Sequence, residues 1–154
     1  MLSLRKEGVI TEPAERRKVI LQKISRAEWK NKAKIVKDEE LINELVNLTE
    51  YPEVAVGQFS DKYLILPKEV LITVLKAHQR IFLFDKLNRF LVIFNGTKRM
   101  AHAVQRGFER VVKARLEDAL FYYNQDIRYG LDKMVDDLKG VTWIEGLGTL
   151  YDKM

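Results

Sequence analysis

The sequence predicts an α+β fold: a small, mainly antiparallel sheet built from two hairpins, packed with N-terminal helices and a long C-terminal helix pair. Three observations predict it. Apolar residues recur at helical spacing in the first and last thirds of the 154 residues. The middle third carries short apolar or alternating stretches bounded by turn residues. Prolines number three and glycines eight, and several of them stand at the joints between these stretches.

Thr11 is the expected N-cap of the first helix, with Glu12, Pro13 and Glu15 in its first turn. Ile20, Ile24 and Ala27 follow at helical spacing, with Leu21 beside them. Asp38 caps a second helix whose stripe of Leu41, Leu45 and Leu48 is widened by Ile42 and Val46. Tyr51-Pro52 ends it, because a residue before proline avoids the helical region. Val54, Val56 and Gln58 alternate with Ala55, Gly57 and Phe59, and a Ser60-Asp61 turn leads into Tyr63-Leu64-Ile65-Leu66, predicting a first hairpin. Pro67 opens a short helix carrying Val70, Leu71, Val74 and Leu75.

A second hairpin has Ile81 to Phe84 and Phe90 to Phe94 as arms and Asp85 to Arg89 as its loop. Both arms are apolar on both faces, which asks for central strands covered on two sides. After the Asn95-Gly96 stop, a long helix runs from Met100 to Tyr123 and a shorter one from Ile127 to Leu138, closed by Gly140. The elements group as a basic N-terminal helix over 1–36, an α+β module over 37–140 and an apolar tail over 141–154 that is expected to lead into a further domain. The length fits a single domain overall.

The chain carries 27 Lys and Arg against 22 Asp and Glu, a net charge of +5. The excess is uneven: residues 1–35 hold ten Lys/Arg and four Glu. With no cysteine, disulfides, thiol catalysis and thiolate metal sites are excluded, and two histidines leave no histidine-rich metal site. No apolar run has the length of a membrane span, and Met1 to Glu15 lacks the apolar stretch of a signal peptide, so a cytoplasmic location is expected.

On a helical wheel of the long helix, Ala101, Val104, Phe108, Val111, Ala119 and Tyr122 share one face. Arg99, Arg106, Arg110 and Lys113 cluster opposite. A solvated surface is the plain reading of such a stripe; contact with nucleic-acid phosphates is the sharper one. Arg115 falls inside the apolar face, where an isolated charge is very costly, and Asp118 three residues on is its expected structural ion-pair partner.

Few groups converge for chemistry. His78, in Lys76-Ala-His-Gln-Arg80, has the pKa of a general base but the commoner role of a capping residue. His102 reads as solvated, and Asp136-Asp137 is a weak magnesium candidate because adjacent helical residues point apart. Gly146-Leu-Gly148-Thr149 lacks the remaining residues of a phosphate loop. Tyr122, Tyr123 and Tyr129 are read as core aromatics, with stacking on bases as the alternative. No catalytic constellation emerges.

Longer stretches carry a resemblance. Leu48-Thr-Glu-Tyr-Pro-Glu-Val-Ala-Val-Gly-Gln-Phe59, Leu66-Pro-Lys-Glu-Val-Leu-Ile-Thr-Val-Leu-Lys-Ala-His-Gln-Arg80 and Leu147-Gly-Thr-Leu-Tyr-Asp-Lys153 resemble segments of the bacterial glycyl-tRNA synthetase β subunit. So does the most specific piece, Gly107-Phe-Glu-Arg-Val-Val-Lys-Ala-Arg-Leu-Glu-Asp-Ala-Leu-Phe-Tyr-Tyr123. The resemblance implies an internal segment preceding that subunit's HD-like domain. The family enzyme is an α2β2 ligase that joins glycine to tRNA using ATP. Its ATP and magnesium belong to the α subunit, and the β subunit supplies tRNA binding and assembly. The partners implied are the α subunit, the remainder of β and tRNA, with no membrane and no cofactor in this chain. The candidate RNA contacts are Arg99, Arg106, Arg110 and Lys113, with Arg16, Arg17, Lys76 and Arg80. A subunit- or domain-assembly module without RNA contact is the alternative, and a hydrolase built around His78 is the third reading.

Overall fold

The structure, a computed structural model, describes residues 9–154, the side chain of His78 excepted. The first eight residues of the expected basic segment therefore lie outside the described residues. The chain forms two compact units, 1–117 and 118–154.

In the first unit, α1 spans Pro13–Asn31 and α2 spans Glu39–Leu48. Glu12, rather than Thr11, is the residue at the α1 N-cap, with Pro13 following at the first helical position. Asp38 caps α2 as expected, its carboxylate accepting from the Leu41 N–H at 2.9 Å. Ile20, Ile24 and Ala27 of α1 and Leu41, Ile42, Leu45 and Val46 of α2 are buried, while Leu48 is exposed. Strand β1 (Pro52–Gln58) follows, then a 3-10 turn over Asp61–Ile65, α3 (Lys68–Gln79), β2 (Ile81–Leu83) and β3 (Arg89–Asn95). A second 3-10 turn, Lys98–Met100, enters α4 (Ala101–Tyr129), whose residues up to Glu117 belong to this unit.

The sheet order is β1-β3-β2, antiparallel throughout, with Leu91 of the central strand between Val56 and Phe82. One face presents Val54, Val56, Leu91, Ile93, Phe82 and Phe84 to the apolar residues of α1 and α2. Alternation along the strands turns Ala55, Gly57, Phe90, Val92, Ile81 and Leu83 to the other face. Leu71, Leu75, Val112 and Leu116 are buried outside the first cluster and belong with that second face. The expected two-sided burial of β3 is met, because helices cover both faces.

Only one of the two expected hairpins exists in this sheet. Tyr63-Leu-Ile-Leu66 is not a strand: Tyr63 and Leu66 are buried, and Leu64 and Ile65 between them are exposed. Burial at a spacing of three is the period of a 3-10 turn, not of a pleat.

The second unit holds the end of α4, α5 (Leu131–Asp137), a 3-10 turn over Leu138–Gly140, strands β4 (Thr142–Ile144) and β5 (Gly148–Thr149), and α6 (Leu150–Lys153). Gly130, at φ 76°, separates α4 from α5. The long helix therefore continues past Tyr123, and the expected helix over 127–138 starts only at Leu131. The stretch expected as a plain tail forms a small hairpin turning at Gly146, where φ is 82°. No side chain of this unit is buried: Phe121, Tyr122, Ile127, Leu131, Trp143 and Leu147 are all exposed. Among the described residues, no helix is long and apolar enough to cross a membrane.

Candidate nucleic-acid interface

The eight basic residues singled out from sequence divide into two groups. The first is engaged within the chain. Arg16 donates from Nε to the Val46 carbonyl at 2.8 Å and from Nη1 to the carbonyls of Ile10 and Thr11 at 2.9 and 2.8 Å. It thereby ties α1 to the C-terminal end of α2. Arg17 bonds Asn43 and pairs with Glu39. Lys76 pairs with Asp38 at 2.7 Å and Glu40 at 3.0 Å. Arg80 pairs with Glu44 and occupies the left-handed C-cap of α3 at φ 53°. Half-buried Arg16 is a structural clasp whose guanidinium is held by three main-chain acceptors. Its acceptors are the Val46 carbonyl in the last turn of α2 and two carbonyls of the segment leading into α1.

The second group forms no ion pair, although the charge of Lys113 helps hold the Glu117 carboxyl down. Arg106, Arg110 and Lys113 lie on the exposed side of α4, and Arg99 precedes them in the 3-10 turn rather than on the helix. None of the four forms an ion pair with another described residue. Spacings of four and three put Arg106, Arg110 and Lys113 on one strip, about 10 Å long at 1.5 Å per residue.

The inward side of α4 differs from the expected wheel. Val112 and Leu116 are fully buried, Gln105, Phe108 and Glu109 are half-buried, and Val111 and Tyr122 are exposed. The inward face is turned by roughly 60° from the one expected, at 100° per residue. Arg115 consequently reaches solvent, as does Asp118, and no ion pair joins them. Two polar side chains take part in the contact instead. Glu109 accepts from the Gln58 main-chain N–H at 3.1 Å and from the Gln105 amide at 3.0 Å. At the end of this stretch Glu117 accepts from the Tyr63 hydroxyl at 2.8 Å and pairs with Lys62 at 2.6 Å. The Lys62 bond, then the Tyr63 bond, hold the Glu117 carboxyl below its ordinary range, while burial first and Glu117 second raise the Tyr63 phenol.

A second basic surface was only partly visible in the sequence. Lys23, Arg26 and Lys30 of α1 stand with Arg89 of β3 and Lys98 around a groove of about 620 Å³ along β1. Lys23 pairs with Glu53 at 2.8 Å, and Arg89 donates to Asn31 at 2.8 Å. Burial pushes the Glu53 carboxyl up, but the Lys23 hydrogen bond, the Val54 N–H and the charges of Lys23 and Lys98 outweigh it, so it lies below the ordinary range. Lys23, Arg26 and Lys30 belong to the lopsided basic stretch of residues 1–35, and Arg89 and Lys98 join them only through the fold.

The other candidates do not assemble. His102 is exposed. Asp136 pairs with Lys139, and no group of three His, Asp or Glu suited to a metal occurs among the described residues. Tyr122 and Tyr129 are exposed rather than core, and Lys133 stands 4.2 Å over the Tyr129 ring.

The family model described as glycyl-tRNA synthetase beta subunit matches residues 1–154. A glycine–tRNA ligase beta subunit of Thermotoga maritima is 46% identical over 154 residues, covering 99% of this chain and 23% of its own length. One from a Sulfurihydrogenibium species is 47% identical over 126 residues, covering 79% of this chain and 19% of its own. One from Streptococcus suis is 42% identical over 156 residues, covering 98% and 23%. The chain thus spans less than a quarter of the relatives it matches.

Proposed function

The chain belongs to the glycyl-tRNA synthetase β-subunit family, and from that premise we propose that it is a non-catalytic, tRNA-binding module of that subunit. In this reading it supports ATP-dependent glycylation carried out by the α subunit. One observation carries it: Arg99, Arg106, Arg110 and Lys113 are exposed and free of ion pairs with the described residues, whereas Arg17, Lys76 and Arg80 are each neutralised by a carboxylate. Exposed cations without ion pairs attract an anionic backbone and release its counterions. Contacts of this kind set the position of an RNA and read its shape rather than its sequence.

The test is tRNA binding to the chain as a function of salt, alone and with the α subunit present. The expected result is a linear fall of log affinity with log salt, with a slope of about −0.9 per neutralised phosphate of a duplex. Arg106→Glu combined with Arg110→Glu flattens that slope and weakens binding about tenfold or more. An unchanged slope removes α4 from the interface. A second reading, an assembly module without RNA contact, is favoured by the exposed Phe121, Ile127, Leu131, Trp143 and Leu147 of the second unit. A stable complex with the α subunit and no RNA binding by the chain decides for it.

A further inference from the structure

The three-stranded sheet has two outer edges, and the chain treats them differently. Along β2, residues 34–36 run antiparallel. The Val36 N–H donates to the Leu83 carbonyl at 2.8 Å, the Asp85 N–H to the Lys34 carbonyl at 2.7 Å, and Ile35 bridges Phe84. Buried Glu28 fastens this cover, accepting from the Ile35 N–H at 3.1 Å and from Lys34 at 2.9 Å. That edge is closed.

The outer edge of β1 has no strand beside it among the described residues. In its ladder the odd-numbered residues face β3: the Phe59 N–H donates to Asn88, and Tyr51 accepts from Gly96. Alternation turns the N–H and C=O groups of Val54, Val56 and Gln58 outward. Two of these donors are held by carboxylates of the chain itself. Glu53 accepts from the Val54 N–H at 2.9 Å, and Glu109 accepts from the Gln58 N–H at 3.1 Å. Val56, between them, has no such acceptor. The groove along this edge is rimmed by Lys23, Arg26, Lys30, Arg89 and Lys98, with Glu53 in its lining and Glu109 at its Gln58 end.

We propose that this edge docks an extended acidic peptide, which adds to β1 as a fourth strand. The two carboxylates stand where the carbonyls of such a strand would lie. The incoming carbonyls take over the Val54 and Gln58 N–H groups, Glu53 and Glu109 let go, and the Val56 N–H gains an acceptor. The contact covers about five residues, or roughly 16 Å at 3.3 Å per residue. A peptide fits better than a nucleic acid because the edge offers N–H and C=O groups in alternation at strand spacing, and a peptide backbone brings acceptors and donors in that same alternation. Five cations against two acids, Glu53 and Glu109, set the sign of its side chains. This surface shares no residue with the strip of α4 proposed for tRNA, so either can fail without the other.

The test uses the full 154-residue chain and three fluorescent probes: an end-blocked peptide of four Val-Glu repeats, its Val-Lys counterpart, and oligothymidylate. The Val-Glu peptide is expected to bind and to slow hydrogen exchange at the Val56 amide. Val56→Pro is expected to weaken it about tenfold or more. Proline is tolerated on an edge strand when the lost N–H faces outward, and a melting curve checks that the variant folds. If it does not, Val56 exchange in the unmodified chain decides. Arg26→Glu with Lys30→Glu is expected to weaken the Val-Glu peptide and favour Val-Lys. Unchanged exchange at Val56 overturns the proposal, as does a folded Val56→Pro that binds as before. Displacement of the peptide by oligothymidylate that binds Val56→Pro equally well assigns the groove to nucleic acid instead.

Discussion

Gly57 lies in β1 opposite Phe90 of the central strand. A Cβ at this position would stand 2.3 Å from Cζ of the Phe90 ring and 2.8 and 2.9 Å from its two Cε atoms. Comfortable carbon contacts begin near 3.5 Å, so Gly57→Ala forces the ring to move by about 1 Å. Phe90 is fully buried on the middle strand, so its ring can move only by displacing core neighbours or filling internal space. Overpacking of this kind costs about 1–3 kcal/mol. Losing the flexibility of glycine in the unfolded chain returns about 0.5–1 kcal/mol. The net destabilisation expected is about 1 kcal/mol at the centre of a range of about 0–2.5 kcal/mol, a fall in melting temperature of roughly 2–4 °C at that centre for a chain of this size. Urea unfolding is the assay, with a lowered midpoint and an unchanged slope. Phe90→Leu makes room for the methyl group, so the double variant should couple by about 0.5 kcal/mol or more. A Gly57→Ala chain more stable than the parent, or strict additivity with Phe90→Leu, refutes the reasoning.

Three further outcomes follow from the same geometry. Burial raises the Asp38 carboxyl, but Lys76 and the Leu41 and Glu40 N–H groups outweigh it and leave it below its ordinary range. A carboxyl lowered by folding stabilises above the ordinary range and loses that contribution as the pH falls through its folded value. The parent should therefore lose more stability between pH 7 and about pH 3 than Asp38→Asn, measured as the shift in urea midpoint. Arg16→Met, which strands the carbonyls of Val46, Ile10 and Thr11, should cost about 1–3 kcal/mol in urea unfolding yet leave the salt slope of tRNA binding unchanged. Arg115→Met should move stability by no more than about 0.5 kcal/mol by the same assay, because Arg115 is exposed and unpaired with Asp118.

What could be read in advance was local. Asp38 before an apolar stripe, Pro67 before a helix, and a strand apolar on both faces each carry their cause in a few neighbouring residues. Tyr63 to Leu66 defeated the reading because four apolar letters in a row have no period of their own. Only the partners of Tyr63 and Leu66 show that the spacing is three. Arg115 was misplaced because the wheel weighted apolar letters alone. Val111 and Tyr122 pulled its centre one way, whereas Glu109 and Gln105, polar but bonded to each other and to β1, sit on the contact side. The carboxylate that holds Gln58 comes from 51 residues away. No window of sequence contains both partners. The free strip of α4, by contrast, was legible as a stripe of like charge, although its freedom from ion pairs was not.

The order of strands along the chain also has a temporal meaning. β3 is the middle of the sheet but the last of its three strands to be made. Between the synthesis of Gln58 and Asn95 a ribosome working at about 5–20 residues per second needs roughly 2–7 s. During that interval β1 has no partner for either row of its peptide groups, and residues 34–36 have no β2 to cover until Leu83 is made. The α1–α2 pair can pack at once; everything flat must wait. When β3 arrives it closes the sheet in one step, joining a strand completed before it to one that has just emerged. A nascent chain stalled before residue 89 would hold Val54 and Val56 without their neighbours Leu91 and Ile93, a natural substrate for a chaperone rather than a half-built domain.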